Sequence, residues 1–147
     1  MAAPRPGTYD KDGYRIRGSC VCFRNDSKQE VLLVSRRTSD GWMVPGGGVE
    51  LGEEVEHAAI RELQEEAGVL ISITGSLGIF DNDVSKTRTT VFTAHVTTEL
   101  DTWPEAETGR RRQWFTVEHA LQELARSKPT HMLYIEKFVT SQNDIRT

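Results

Sequence analysis

The sequence predicts an α/β domain, and three observations carry that reading. Strand-like stretches come first, then one long helix, then more strands, then two helices, an order that fits a mixed sheet covered by helices. The run Glu30-Val31-Leu32-Leu33-Val34-Ser35 is apolar without alternation, as in a strand buried on both faces. Residues 53–67 contain no internal Gly or Pro and are long enough for about four helical turns.

The elements follow in order. Residues 1–13, with two prolines and two glycines, read as a flexible N-terminal arm, and the domain proper is expected over 14–141 with a tail at 142–147. Residues 15–24 alternate, with Ile16, Gly18, Cys20 and Cys22 on one side, and predict a strand. Asn25-Asp26-Ser27-Lys28 is turn chemistry, so 15–36 reads as a hairpin. Ser39-Asp40-Gly41 turns the chain again, and Trp42-Met43-Val44 leads into Pro45 and three glycines. Gly68 suits the left-handed cap of the long helix. Residues 71–80 and 89–99, rich in Thr, Val, Ile and Phe, read as strands joined by a polar loop over 81–88. An acidic loop over 101–109 precedes Arg110-Arg111-Arg112 and a short strand at 113–115. Thr116 caps a helix over 117–126, although His119 stands where a capping box has Glu or Gln. A last helix is expected over 130–140.

Composition narrows the function classes. At 147 residues, 37% hydrophobic, with three tryptophans, the chain reads as one folded domain. No apolar run reaches the roughly 18 residues needed to span a bilayer, and the N-terminus lacks the apolar centre of a secretory signal. Cys20 and Cys22 have neither zinc nor redox spacing, and read as free buried thiols of an intracellular protein. The net charge of −4 hides a division. Gly47 to Val69 holds seven glutamates and one arginine, whereas the rest of the chain is slightly basic. A polyanion reaching the acidic stretch would need bridging cations there and basic groups around it. The basic residues are scattered without interleaved aromatics, which argues against nucleic acid as a partner. Of the tryptophans, only Trp103 is expected to be exposed.

On a wheel of about 100° per residue, Val55, Ala58, Ala59 and Leu63 form one apolar sector. Glu62 and Glu66 fall inside it, and His57, Arg61 and Gln64 fall roughly opposite. A solvated face would carry its charges away from the apolar side chains. Glu62, Glu65 and Glu66, spaced i, i+3, i+4, occupy neighbouring surface and repel one another. Carboxylates partly withdrawn from water call for a cation. Oxygen ligands without a His or Cys at ligand spacing select Mg²⁺, with Mn²⁺ the alternative, over zinc.

The residues Gly47, Glu53 and Arg61-Glu62-Leu63-Gln64-Glu65-Glu66-Ala67-Gly68-Val69 match the Nudix box, G-x5-E-x7-R-E-U-x-E-E-x-G-U with U aliphatic. The chain thus resembles the Nudix hydrolases. That resemblance implies an α/β/α sandwich with a mixed sheet and hydrolysis of a diphosphate linked to another group. It also implies that Glu62 and Glu66 bind the metal with the Gly46 carbonyl, and that Glu65 is the general base. Arg61 would orient the glutamates by pairing with Glu53. The flanks, above all Gly46-Gly47-Gly48 and Gly109-Arg110-Arg111-Arg112-Gln113-Trp114-Phe115, resemble the diphosphoinositol polyphosphate phosphohydrolases over about 9–129.

This narrower resemblance implies removal of the β-phosphate from diphosphoinositol polyphosphates, with diadenosine polyphosphates as further substrates. By the family's pattern the phosphates would meet Arg15, Arg17, Ser35, Arg36, Arg37, Gly46, Gly47, Gly48, Lys86, Arg110 and Lys128. Gly7, Ile16 and Ser85 depart from the pattern at positions where relatives often carry a base, and so bear on the number of phosphate contacts. The alternatives are a Nudix enzyme acting mainly on dinucleoside polyphosphates or capped RNA, and a non-catalytic module that binds inositol polyphosphates. The expectation is a cytoplasmic monomer, with nuclear entry open, that acts on a small polyphosphate and has no membrane partner.

Overall fold

The computed structural model describes residues 7–36 and 40–145, the last two of these by their backbone alone. The strands are β1 (Arg15–Phe23), β2 (Glu30–Ser35), β3 (Trp42–Met43), β4 (Gly46–Gly48), β5 (Val69–Asn82), β6 (Thr87–Glu99) and β7 (Arg112–Thr116). The helices are α1 (Val55–Ala67), α2 (Val117–Ser127) and α3 (Pro129–Ile145), and a short 3-10 helix spans Pro104–Thr108.

The sheet runs β3-β2-β1-β6-β5, with β4 also paired to β1 and β7 to β2. Among the described residues only the β1–β6 pair is parallel and the other strand pairs are antiparallel, so the sheet is mixed. Its central strands are covered on both faces, which is why β2 has no polar alternation. Cys20 and Cys22 of β1, with Leu32 and Val34 of β2, pack toward Ala59, Leu63 and Ala67 of α1. Val21, Phe23, Val31 and Leu33, one residue out of step, pack with Leu124 of α2 and Ile135 and Phe138 of α3. The result is the expected α/β/α sandwich. Both cysteines are free and buried on the α1 side, and the hydrogen bond with Cys20, followed by burial, pushes the Cys22 thiol up. Gly18 is required by contact: a Cβ there would lie 2.8 Å from the Val55 carbonyl oxygen.

Several boundaries differ from the sequence reading. Helix α1 begins at Val55, with Glu54 extended as its N-cap, because residues 50–53 form a turn in which the Glu53 N–H donates to the Glu50 carbonyl. Gly68 caps it in the left-handed conformation, φ 63°. The loop expected over 81–88 is only a turn over 83–86, since β5 and β6 stay paired as far as Asn82 and Thr87. The arm expected over 1–13 is anchored from Gly7 onward, by bridges to Glu50 and from Tyr9 to Arg15. The Asp10 carboxylate organises this turn by accepting the N–H groups of Asp12 and Tyr14. The tail expected over 142–147 is helical as far as Ile145, because nothing after Pro129 breaks the helix. Thr116 caps α2 as expected, its side chain accepting the His119 N–H.

Candidate active site

The site is built where α1 lies against the glycine strand β4. Glu62 and Glu66 are both buried, although each is a carboxylate. The glycines make room for them. A Cβ on Gly47 would stand 2.3 Å from the Glu62 carboxylate carbon, and one on Gly46 would stand 1.9 Å from Ser19 Oγ. The Gly46 N–H donates to Glu66 Oε1 at 2.8 Å. The amide of Gly46 thus meets a box glutamate, while its carbonyl, expected to join Glu62 and Glu66 around the metal, is a separate group of the same residue. Burial, and then the neighbouring Glu62, push the Glu66 carboxyl up to about 8.

Arg61 binds the box together. Its Nε and Nη2 donate to the two oxygens of Glu53 at 2.8 and 2.9 Å. Nη2 also donates to the Gly48 carbonyl at 2.9 Å, and Nη1 to Glu62 at 2.9 Å. Glu65 is half-buried, with Oε2 at 3.4 Å from Arg61 Nη1. The bond from Arg61 holds the Glu53 carboxyl below its ordinary range. The wheel set Arg61 on the outer side of the helix, but residues 46–53 wrap over that side and half-bury it.

A third acid joins from outside the box. Glu62, Glu66 and Glu105 each place a carboxylate oxygen within 4.8 Å of the others. Glu105 comes from the 3-10 helix, and no spacing in the sequence ties it to α1. Its one visible sign is its place in the acidic loop just before Gly109. Three carboxylates this close, two of them buried, form an all-oxygen donor set that suits a hard divalent cation. Glu65 lies outside the triad.

Arg110 was expected to meet a phosphate. Instead it is 7% exposed, its Nη2 lying 3.4 Å from Glu66 and 3.0 Å from Glu105, while its Nη1 donates to the Ser35 carbonyl at 2.6 Å. Strand β7 and the segment leading into it alternate, and Arg110 is the inward member of the arginine run. Ser35 is likewise buried, with Oγ accepting the Arg111 N–H at 2.8 Å. Both residues have internal partners where substrate contacts were expected.

Beside this centre lies a cavity of about 350 Å³ whose wall includes Arg17, Lys128, His131, Thr89, Tyr134 and Asp83. Met43 links the two regions: it lines the cavity, and its sulfur is 3.8 Å from Arg110 Nη1. Burial, and then Arg36 and Arg17, lower the Lys128 pKa, so these three cations share one field. Arg36 also donates to the Ser127 carbonyl. Arg15 is exposed and lies over Gly48, where a Cβ would be 2.4 Å from its guanidinium. Lys86 sits on the β5–β6 turn with φ 57°, its Nζ 5.2 Å from the centre of the Tyr14 ring. Arg37 lies outside the described residues. Arg88 is held by Asp10 and Asp81. Trp103 is half-buried rather than exposed, because Arg112 stacks over its ring at 4.3 Å and Gly68 lies against it.

Comparison with known proteins agrees with this geometry. The NUDIX domain model matches residues 14–136. The chain is 48% identical over 132 residues to diphosphoinositol polyphosphate phosphohydrolase 2 of Homo sapiens, which covers 88% of this chain and 73% of that protein. It is 47% identical over 133 residues to diphosphoinositol polyphosphate phosphohydrolase 3-alpha of Mus musculus, covering 88% and 81%. Among solved structures, a NUDIX hydrolase from Nitrosomonas europaea superposes with a TM-score of 0.67 at 23% identity, covering 93% of this chain and 90% of that one, a likeness of fold. No helix among the described residues is long and apolar enough to cross a membrane.

Proposed function

The chain belongs to the NUDIX family and, within it, to the diphosphoinositol polyphosphate phosphohydrolases, and on that premise we propose that it removes the β-phosphate from diphosphoinositol polyphosphates. The observation that carries this reading is one juxtaposition: a carboxylate triad, two of its members buried, stands beside a cavity walled by Arg17 and Lys128.

Glu62 and Glu66, with Glu105, would hold Mg²⁺, or Mn²⁺ in its place. The fit rests on two buried like charges that share a site and on glycines that leave room for them. When bound, such a cation neutralises diphosphate oxygens and acidifies water. Glu65 is the proposed general base: it takes the proton of the attacking water as the phosphoanhydride P–O bond breaks and the leaving phosphate departs with the bonding pair. Arg61, bound to Glu53, Glu62 and the Gly48 carbonyl, fixes the orientation of the acids. Arg17 and Lys128 contact the remaining phosphates, joined by Arg15, Arg36, Lys86 and the glycine strand at Gly47 and Gly48. Charge-assisted bonds of this kind are the strong ones.

Diadenosine polyphosphates are proposed as second substrates, and the protein as a cytoplasmic monomer. Turnover of diphosphoinositol pentakisphosphate and diadenosine hexaphosphate, measured at matched concentrations with Mg²⁺, tests the reading. Faster release of phosphate from the inositol compound is expected. A clear preference for the dinucleotide would overturn the order of substrates. Tight binding of both without turnover would make the chain a binding module.

A further inference from the structure

One polar group on the cavity wall has no part in the reading above. His131 is 3% exposed and stands in the first turn of α3, three residues after Lys128. Its Nδ1 accepts the backbone N–H of Val44 at 3.1 Å. A ring nitrogen that accepts carries no proton, so the proton of the neutral ring is on Nε2. Protonating Nδ1 as well would set one N–H against another. Burial, and then Arg17, Lys128 and Arg36, push the pKa of this imidazole down to about 3, so the ring is neutral near pH 7. Its plane stacks on Tyr134, with ring centres 4.8 Å apart. His131 is part of the cavity wall with Arg17 and Lys128, and with Nδ1 committed to Val44, Nε2–H is the ring group left to meet what enters the cavity.

We infer that His131 is a substrate-contact residue whose Nε2–H donates to an oxygen of the phosphate held between Arg17 and Lys128. The inference rests on the functional reading above and adds to it a specificity-determining position. Other residues of the wall explain why such a donor is useful. Asp81 and Asp83 also line the cavity, engaged by Arg88 and by the Tyr14 hydroxyl respectively, and their charge disfavours a phosphate near them. A third cation on the α3 side would add to the repulsion already felt by Lys128. A neutral donor adds a directed bond without that repulsion. Glutamine can reproduce both contacts, its amide oxygen accepting from Val44 and its NH₂ donating to the phosphate. Leucine fills the volume and makes neither.

The test compares wild type with His131→Gln and His131→Leu. The readouts are kcat and KM for diphosphoinositol pentakisphosphate, and the calorimetric Kd of inositol hexakisphosphate. Losing one hydrogen bond to a charged oxygen should raise KM and Kd about tenfold in H131L with kcat within about twofold, and H131Q should stay within about threefold of wild type. Unchanged KM and Kd in H131L, or equal impairment of H131Q and H131L, would overturn the inference. If H131L does not fold, wild type with ¹⁵N-labelled histidine decides. The Nε2 signal of His131 should shift when inositol hexakisphosphate binds, and a static signal at saturation would overturn it. A wild type that neither binds nor cleaves the inositol compounds brings down the functional reading and this inference together, an outcome distinct from normal turnover with an indifferent H131L.

Discussion

The carboxylate centre and the cavity beside it both carry unbalanced charge, but of opposite sign and held by different means. At the centre, Glu62 and Glu66 are tied in advance by Arg61, Arg110 and the Gly46 amide, and burial still leaves Glu66 high. At the cavity, Arg17, Arg36 and Lys128 repel one another, and the nearby aspartates are already engaged with Arg88 and Tyr14. One region is a cluster of carboxylate oxygens and the other a group of cations. On the function proposed above, a polyphosphate that arrives with a divalent cation would meet both at once.

Substitutions can break this contrast from either side. The largest effect is expected from Glu65→Gln, which should lower kcat by about 10²–10⁴ while leaving the calorimetric Kd for inositol hexakisphosphate unchanged. Wild-type-like turnover would remove Glu65 from the base role. Arg110→Ala leaves Glu66 and Glu105 without their buried partner and should cost about 3–5 kcal/mol of stability in urea unfolding. If stability hardly changes and KM rises instead, Arg110 belongs to the cavity and the contrast fails. Gly47→Ala drives a methyl into the Glu62 carboxylate and should cost about 1–3 kcal/mol, read as a lower Tm, with weaker stabilisation by added Mg²⁺.

The smallest effect concerns pH. His131 titrates near 6.5 when unfolded and near 3 when folded, so the unfolded chain binds the extra proton between those values. The stability this histidine allows is full above about pH 6.5 and is lost as the pH falls toward 3. Urea midpoints of wild type should therefore decline more steeply than those of H131Q between about pH 6.5 and 4.5. Parallel curves would mean that the imidazole is not held neutral by its surroundings.

Much of the carboxylate centre was legible in the sequence because α1 carries most of it. Helical spacing alone placed Glu62 and Glu66 in the apolar sector, and both are buried. The caps at Gly68 and Thr116 were local chemistry and read correctly. Residues that arrive through tertiary contact were not legible. Glu105 reaches the site from a loop, and only the packing of the 3-10 helix against α1 reveals it. Arg110 resembled the exposed bases beside it, because a run of three arginines does not say which one faces inward. His131 stood in an unremarkable helix until the Val44 amide fixed its tautomer. The anchoring of residues 7–13 likewise depends on partners at Glu50 and Arg15 that are distant or locally ambiguous in sequence.

The register of β1 has a consequence for how such a protein can change. Arg17 is paired with both Gly48 and Thr89, and Gly18 and Ser19 with Gly47 and Gly46. One short piece of backbone thus sets the offset between the carboxylate cradle and the cavity floor. A slip of one residue would reverse every inward and outward side chain and lose both sites together. The part of the cavity wall that lies on α3 and on the β5–β6 turn is free of that constraint. Residues of those two elements can therefore change one by one while the carboxylate cradle stays in place.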